Sequence, residues 1–366
     1  MHIEIDRENL LIPVSVVAGV VERRQTLPIL AYLLLRASET GISMIGTDLE
    51  VEVIAIANGE VVDRGDVTVP ARKLLEICRA LPEGVRIAVA SQGNKIAVKA
   101  GKSRFSLATL PADDFPKVET LDFVSVLTIP ALELKRVLDS TAFCMAQQDV
   151  RYYLNGLYLE VENHQIRAVA TDGHRMAIME LQGELSALKP AQIIVPRKAI
   201  HEIARLLPSD ETPVTIAVDT NHLRLQVAGL VVTSKLIDGK FPDYRKVIPA
   251  VQTKSVILNQ IQFRDALNRV AILANEKYRG VRLNLQSGKL SVTAHNPEQE
   301  EAIEEIETSY SGEPLEIGFN VNYLVEAAGA IDSPEIVLGL SDANSSCTLR
   351  SSVETGAQYI VMPMRL

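Results

Sequence analysis

Few residues in this 366-residue chain are spaced for acid–base or metal chemistry. Asp172 and His174 stand two residues apart and could form an acid–base pair, but no serine or cysteine nucleophile recurs beside them. His201 and Glu202 begin like a zinc-protease helix, yet the position four residues after His201 is Arg205, so the second histidine ligand is absent. Glycine-rich phosphate-binding motifs and a G-x-S-x-G elbow are absent as well. The sequence therefore predicts a protein without a catalytic site, a bound metal or a cofactor.

The three cysteines, Cys78, Cys144 and Cys347, lie too far apart for a metal-binding motif or a disulfide framework, and we interpret them as core residues. The cores should be aliphatic, because 47% of the chain is hydrophobic but only 4% is aromatic, with no Trp. No apolar run reaches the length of a membrane span. The N-terminus alternates like a strand and lacks the basic start and apolar stretch of a signal peptide. We therefore expect a cytoplasmic protein without a membrane partner.

One pattern recurs along the chain and indicates internal repetition. A strand end, a proline at the first helical turn and an amphipathic helix occupy residues 69–82, and the pattern returns at 195–208, 126 residues later. A weaker third copy starts at Gly318. Thr47-Asp48 recurs as Thr171-Asp172, and Phe115-Pro116 recurs as Phe241-Pro242, at nearly the same offset. The chain is therefore predicted to be three tandem copies of one unit.

Each unit is predicted to contain two helices and about eight antiparallel strands, which is an α+β design. The first helix of each unit is predicted over 8–21, 132–145 and 261–274. Mixed polar, proline-containing segments at 113–125 and 246–255 are interpreted as linkers. The predicted domains are therefore residues 1–125, 126–252 and 253–366, each with its own core.

Charge is informative when it is divided among the three units. The units carry net charges of −3, 0 and −6, which give the total of −9. A protein that grips nucleic acid with an open surface should instead be basic, because released counterions supply much of the affinity. Several helices are nevertheless locally basic on their polar sides. These residues are Arg23, Arg24, Arg72, Lys73, Arg79, Lys135, Arg136, Arg197, Lys198, Arg205, Arg264 and Arg269.

Several longer motifs resemble those of one family over the whole chain. They are VPARK (69–73), QDVRYYLNG (148–156), ATDGHR (170–175), SKLIDGKFPDY (234–244), NEKYRGV (275–281), NPEQE (296–300) and YIVMPMRL (359–366). In this order they resemble the β sliding clamp, which is the β subunit of bacterial DNA polymerase III. The resemblance implies the DNA clamp fold and a head-to-tail homodimer closed into a six-domain ring around duplex DNA. The family has no catalytic site and confers processivity on the replicative polymerase.

The resemblance also implies site residues and partners. Contacts to DNA phosphates or sugars, without sequence specificity, are expected from Arg24, Arg72, Gln148, Tyr152, Tyr153 and Lys198. A hydrophobic pocket for short linear peptides of the replicative polymerase, other polymerases, repair proteins and the clamp-loader complex is expected from Leu154, Thr171, Gly173, His174, Arg175, Met176, Pro242, Val247, Asn320, Tyr323, Ser346, Ile360, Val361, Met362, Pro363, Met364, Arg365 and Leu366. Lys246 and Asn344 depart from the family pattern of Arg and Val, which affects the rim of the pocket.

A dimer interface, here called the seam, is expected between the first and third units of two copies. Both units offer apolar residues there, and the basic residues of the first unit complement the acidic residues of the third. Its residues are Lys73, Lys102, Arg104, Phe105 and Leu107 in the first unit and Ile272, Leu273, Glu298, Glu300, Glu301 and Glu304 in the third. Two other functions remain open from the residues themselves. One is an open three-domain adaptor that binds peptides and stays monomeric. The other is a hydrolase with an unrecognised site at Asp172 and His174.

Overall fold

The structure is a computed structural model that describes residues 1–21, 27–116, 125–162, 165–182, 190–353 and 355–365. In the first third the elements in chain order are β1 His2–Asp6, α1 Arg7–Val20, β2 Tyr32–Ser38, β3 Gly41–Thr47, β4 Val51–Ala57, β5 Glu60–Asp63, β6 Gly65–Pro70, α2 Ala71–Ala80, β7 Arg86–Gln92, β8 Lys95–Ala100 and β9 Ser103–Ala108.

The second and third parts repeat this order with four strands instead of five between their two helices. The second contains β10 Ser125–Pro130, α3 Ala131–Thr141, β11 Gly156–Glu162, β12 Gln165–Thr171, β13 Arg175–Gln182, β14 Ala191–Pro196, α4 Arg197–Leu206, β15 Pro213–Val218, β16 His222–Val227 and β17 Leu230–Lys235. The third contains β18 Lys254–Asn259, α5 Gln260–Ala271, β19 Gly280–Gln286, β20 Lys289–His295, β21 Glu301–Glu307, β22 Leu315–Asn320, α6 Val321–Gly329, β23 Glu335–Leu340, β24 Cys347–Ser351 and β25 Ala357–Val361.

The chain forms two compact units, each built on two antiparallel sheets. The first unit contains Met1–Glu133 and His201–Leu236, and the second contains most of the remaining residues. The sheets of the first unit have the strand orders β5-β1-β7-β8-β9 and β10-β15-β16-β17-β4-β3-β2-β6. Those of the second unit have the orders β14-β11-β12-β13-β25-β24-β23-β18 and β21-β20-β19-β22.

Both long sheets combine strands from successive thirds of the sequence. In the first unit β17 pairs with β4, so that Val232 lies opposite Val53. In the second unit β13 pairs with β25, so that Met176 lies opposite Ile360. Each of these pairings joins strands of two predicted domains in one hydrogen-bonded ladder.

Apolar helix faces pack on these sheets. Leu10, Val14 and Val17 of α1 are fully buried against β3 and β4. The approach is close at Gly46, where a Cβ atom would lie 2.5 Å from Val17 Cγ1. In the third part Phe263 and the neighbouring apolar residues of α5 are buried against β20 and β21. The predicted aliphatic cores are therefore present, and all three cysteines are buried in them.

The helix predictions are confirmed within a few residues, but several details differ. Pro70 occupies the N-cap position of α2 rather than its first turn and makes no capping hydrogen bond. The equivalent Asn320 caps α6 by accepting a hydrogen bond from the Asn322 amide at 3.0 Å. The α3 helix ends at Thr141, and a short 3-10 turn continues to Cys144. The predicted linker at 246–255 already contains the start of β18, whereas residues 117–124 of the other linker lie outside the described residues.

Candidate functional site

A buried apolar cluster in the second unit collects residues that are distant in sequence. Leu154, Met176 and Ile360 are each at most 2% exposed, and Val247 packs against them from the surface. They come from the turn before β11, from β13, from β25 and from the segment after the 3-10 turn Tyr244–Lys246. Four residues of the predicted peptide pocket are therefore brought together, and three of them are buried.

The turn between β12 and β13 is fixed by its own side chains. The Asp172 carboxylate accepts hydrogen bonds from the amides of His174 (2.9 Å) and Arg175 (3.0 Å). Thr171 Oγ1 donates to the Arg175 carbonyl at 2.7 Å and accepts from the Gly173 amide at 3.1 Å. Gly173 has a φ of +88°, which favours glycine. The motif ATDGHR therefore presents His174 on a rigid turn, with the Asp172 carboxylate engaged as a turn cap.

Arg175 connects this turn to α6. Its guanidinium lies 4.7 Å from the centre of the Tyr323 ring and forms ion pairs with Asp172 and Glu326. The His174 and Tyr323 rings stack with their centres 6.2 Å apart. Because Arg175 is held from both sides, it fixes the distance between the turn and the helix, which carry the predicted pocket residues His174 and Tyr323.

The C-terminal segment continues from β25 along this site. Val361 is 1% exposed, as expected for a residue of a buried final strand. The Met362 amide donates to the His174 carbonyl at 2.9 Å, and the Met364 amide donates to the Gly318 carbonyl on β22 at 2.8 Å. These two bonds hold the half-buried side chains of Met362, Pro363 and Met364 beside the turn.

The remaining predicted pocket residues are less closely connected. Pro242 is exposed and follows Phe241, whose ring stacks on Tyr158 at 4.9 Å in the apolar cluster. Asn320 caps α6, which carries Tyr323. Ser346 is half-buried immediately before β24, and Arg365 is exposed. Leu366 lies outside the described residues.

A buried carboxylate anchors the segment that carries Pro242 and Val247. Glu160 on β11 is 2% exposed and accepts hydrogen bonds from Arg167 (2.6 Å), Arg245 (2.9 Å) and the Tyr244 hydroxyl (3.2 Å). Burial raises the pKa of the Glu160 carboxyl, but the bond from Arg167 and the charge of Arg245 outweigh burial, and the pKa is lowered from its ordinary value. Glu160 thus stays ionised and ties the rim segment to the sheet.

Four of the predicted DNA contacts lie around one loop of the second unit. Gln148 and Tyr152 are exposed, and Tyr153 packs partly on the apolar cluster. Asn155 closes the loop by bonding both the amide and the carbonyl of Asp149 at 2.9 Å. The Asn155 carbonyl also accepts the Arg197 amide at 3.0 Å, which brings the first turn of α4, and with it Lys198, to the same loop.

The other two predicted DNA contacts are separate from this loop. Arg72 is exposed in the first turn of α2, in the first unit. Arg24 lies outside the described residues. Some of the basic helix residues are engaged within the chain: Arg205 pairs with Glu202 at 2.5 Å, and Arg269 forms a bidentate pair with Glu304 at 2.7 and 2.9 Å.

The predicted seam residues lie on or beside two strands at sheet edges, β9 and β21. In the first unit the edge strand β9 carries exposed Arg104 and half-buried Phe105 and Leu107. An open groove of about 320 Å³ beside it is lined by Lys73, Glu76, Ile77, Ala80, Phe105 and Leu107.

In the second unit the edge strand β21 begins at Glu301 and contains Glu304. Glu298 and Glu300 are exposed in the turn before it. At the end of α5, Ile272 is 77% exposed and Leu273 is half-buried. The first unit therefore has an apolar groove with basic neighbours. The second has an apolar knob, formed by Ile272 and Leu273, with acidic neighbours.

Sequence reasoning missed the residues that hold the site from below. These are Glu160, Arg167 and Arg245 of the buried ion cluster, together with Glu326, which pairs with Arg175, and Phe143, whose carbonyl accepts a hydrogen bond from Arg175 at 2.8 Å. The available signal was Glu160 itself, a charged residue within the otherwise apolar run GLYLEV at 156–161.

Two further findings concern the described residues alone. They contain no group of three His, Cys, Asp or Glu side chains placed to hold a metal ion. None of their helices combines the length and the apolar character needed to cross a membrane.

The fold and the repeated elements define a three-part clamp protein, and comparisons agree. The chain matches the family models for the N-terminal, central and C-terminal domains of the DNA polymerase III beta subunit over residues 1–119, 128–243 and 245–365. The chain belongs to this family, the beta sliding clamps.

Individual relatives are similar over their full lengths. The beta sliding clamps of Pseudomonas aeruginosa and Escherichia coli K12 are 49% and 44% identical, with 100% of both chains covered in each case. A crystal structure of the Pseudomonas aeruginosa DnaN sliding clamp bound to griselimycin matches with a TM-score of 0.97 and 100% coverage of both chains. The Caulobacter crescentus pol III beta structure, 39% identical, matches with a TM-score of 0.95 and the same coverage.

The buried carboxylate generates a stability prediction. Glu160→Gln should lower the free energy of unfolding at pH 7 by about 3 kcal/mol, because Arg167 and Arg245 lose their anionic partner. Since the pKa of Glu160 is lowered in the folded state, the stabilisation is complete above the unfolded-state pKa of about 4.3 and is lost as pH falls through the folded-state value. Urea unfolding of both proteins between pH 7 and 3 measures this difference.

The matched control is Glu39→Gln, which removes an exposed carboxylate paired with Arg64 at 2.5 Å. It should leave stability at pH 7 nearly unchanged, because exposed ion pairs contribute little. Equal losses in the two variants, or a Glu160→Gln effect independent of pH, would contradict the role given to the buried cluster.

Proposed function

We propose that this chain forms a head-to-tail homodimer that closes into a ring around duplex DNA and tethers replication proteins to it. The observation that carries the proposal is the pair of open strands, β9 and β21, with complementary neighbours. An exposed strand edge presents unpaired amides and carbonyls that pair readily with another strand. Pairing β9 of one copy with β21 of another would satisfy both edges. It would also insert Ile272 and Leu273 into the groove beside Phe105 and Leu107.

Ring closure explains how an acidic protein stays on DNA. With a net charge of −9, an open surface would gain little from counterion release. A closed ring retains duplex DNA topologically, so its contacts need only be weakly favourable. Arg24, Arg72, Gln148, Tyr152, Tyr153 and Lys198 would touch phosphates and sugars without reading the sequence.

The apolar pocket is proposed to receive short linear segments of the replicative polymerase, other polymerases, repair proteins and the clamp-loader complex. The binding of griselimycin by a relative's clamp supports ligand capture within the family. Burying two large apolar side chains contributes roughly 3–6 kcal/mol before association costs. Because nanomolar affinity requires about 12 kcal/mol, an isolated short segment should bind in the micromolar range or more weakly. Tight complexes then require further contacts or use of both copies in the dimer.

Three finer assignments accompany this proposal. The domains are residues 1–125, 126–252 and 253–366, which is supported by three successive family matches. The protein has no catalytic site of its own, and the engagement of the Asp172 carboxylate as a turn cap argues against the hydrolase alternative. It acts in the cytoplasm, where bacterial DNA is replicated, and needs no cofactor.

The seam is tested by truncating its apolar knob. Replacing both Ile272 and Leu273 with Ala should lose roughly 2–5 kcal/mol of packing for each side chain that the partner copy buries. The variant should be a folded monomer at concentrations where the wild type is a dimer. Analytical ultracentrifugation measures the mass, and circular dichroism checks the fold.

The control is Ile261→Ala, which truncates an isoleucine that is 66% exposed in the first turn of the same helix. It should remain dimeric, since Ile261 is not a seam residue. If the double variant stays dimeric at nanomolar concentration, the dimer interface must lie elsewhere. A monomeric wild type would instead favour the open adaptor.

The pocket is tested by shortening the C-terminal segment. Deleting residues 362–366 should abolish binding of partner segments and stimulation of the polymerase, because it removes two methionines that border the apolar floor. The dimer and its thermal stability should be retained, since β25 ends at Val361. Calorimetric titration with a polymerase-derived peptide measures affinity. Unchanged affinity in a folded, dimeric deletion variant would mean that partners dock on another face.

A further inference from the structure

Arg269, in the last turn of α5, pairs with Glu304 on the edge strand β21. The guanidinium donates to both carboxylate oxygens, at 2.7 and 2.9 Å. The hydrogen bond from Arg269 lowers the pKa of the Glu304 carboxyl, so the carboxylate stays ionised at neutral pH. Glu304 was expected to act as one of several acids of the seam, whereas here it is also engaged within its own chain.

Arg269 shares a side of the helix with the apolar knob. Residues three and four positions apart lie on the same side of a helix, which places Arg269 next to Ile272 and Leu273. The Ile272 amide bonds to the Arg269 carbonyl, and the Leu273 amide bonds to the Val270 carbonyl, each at 3.2 Å. The knob therefore follows α5 without an intervening loop, and a bond at Arg269 also restrains the knob.

Glu304 lies on the face of β21 that meets α5. It is directly opposite Val292 on β20, and Val292 is fully buried where α5 packs on these two strands. Directly opposed residues share a face of a sheet. Glu301, three residues earlier, lies on the other face, opposite His295, with which it pairs at 3.5 Å. The structure therefore separates Glu304 from Glu301, although both were predicted to serve the seam in the same way.

The corresponding face of the other seam strand is apolar. On β9, Phe105 lies opposite Val98 and Leu107 lies opposite Ile96, and both opposed residues are fully buried. If β9 of one copy pairs with β21 of another while the knob enters the groove beside Phe105, the helix-facing sides of the two sheets become one face. Glu304 then lies beside apolar residues of the partner copy, where a carboxylate without a cation would destabilise the interface.

We propose that Arg269 is a positioning residue of the seam, acting through Glu304. The pair holds the end of α5 against the edge strand, so that knob and strand meet the partner copy as one preorganised surface, which reduces the entropy lost on association. It also supplies a cation to Glu304 from within the same chain. The inference rests on the proposed ring, because it assigns a role at the seam of that ring.

The experiment compares the dimer dissociation constants of full-length variants by fluorescence-detected sedimentation. Arg269→Gln should weaken each seam about tenfold, as expected for a partly buried carboxylate that loses its cation. Because a head-to-tail ring of two copies has two seams, the dissociation constant should rise about a hundredfold. Arg269→Lys keeps the charge but not the bidentate geometry, and it should recover part of this loss.

A double variant tests whether Arg269 acts through Glu304. In protein that already carries Glu304→Gln, the further change Arg269→Gln should leave the dissociation constant unchanged, because the pair is already lost. The control is Arg36→Gln, which breaks a similarly exposed bidentate pair with Asp66 at 3.0 and 3.2 Å, in the other sheet of the first unit. This control should dimerise like the wild type.

A general loss of stability is separated from a seam effect in a monomeric background. When added to the variant with Ile272→Ala and Leu273→Ala, Arg269→Gln and Arg36→Gln should lower the free energy of unfolding by similar amounts, as measured with urea. A much larger loss for Arg269→Gln in this background would assign the pair to the stability of the fold and would overturn its role as a positioning residue.

The opposing results are separable. A dissociation constant that Arg269→Gln leaves unchanged, or raises as much in the Glu304→Gln background as in the wild type, would overturn this inference and leave the ring intact. An equal effect of Arg36→Gln would also overturn it, because the effect would then not be specific to the seam. A wild type that is monomeric at micromolar concentration would overturn the ring and the inference together.

Discussion

Backbone hydrogen bonding of strand edges is the constraint on which this structure depends. Within each unit, successive thirds of the chain satisfy their edges by joining one ladder, β17 with β4 in the first unit and β13 with β25 in the second. The strands β9 and β21 have no such partner within the described chain and lie at the ends of the shorter sheets. An edge of this kind must be paired, covered or charged to avoid uncontrolled association. In the proposed ring, β9 of one copy pairs with β21 of the other, so that both open edges are satisfied.

If the protein is retained on DNA by encirclement, it does not need a strongly basic surface. A protein that held DNA by charge would need a large unpaired basic surface, whereas Arg205 and Arg269 are already paired with glutamates. Weak contacts suit a ring that must move along DNA. At the proposed partner site, charged residues likewise have structural roles. Arg175 holds the turn between β12 and β13, and Glu160 holds the segment that carries Pro242 and Val247. In the proposed partner site, the apolar cluster of Leu154, Met176 and Ile360 would supply the affinity.

Much of the fold could be predicted from the sequence because the repeats carry local signals. Pro70 and Pro196 precede helices at the same spacing, and the helices begin within one residue of these positions. Thr47-Asp48 and Thr171-Asp172 both form turns in which the aspartate accepts amides two and three residues later. Such motifs depend on nearby residues alone, so sequence reasoning detects them.

Long-range pairing could not be predicted in the same way. Alternation of apolar residues in β4 or β13 indicates a strand but not its neighbour, since the period of two is common to all strands. The resemblance to a known family indicated the residues of the predicted pocket. It did not identify the support of Glu160 by Arg167 and Arg245, because ion pairs between distant segments leave no local pattern.

The central claim is that the protein is retained on DNA by encirclement, and retention on DNA of different topology tests it most directly. Protein loaded onto nicked circular duplex at moderate salt should remain bound through gel filtration, and cutting the circle once should release it. Linear duplex with blocked ends should retain it again. Equal retention on linear duplex with free ends would contradict encirclement and would require a direct grip that the net charge of −9 does not provide.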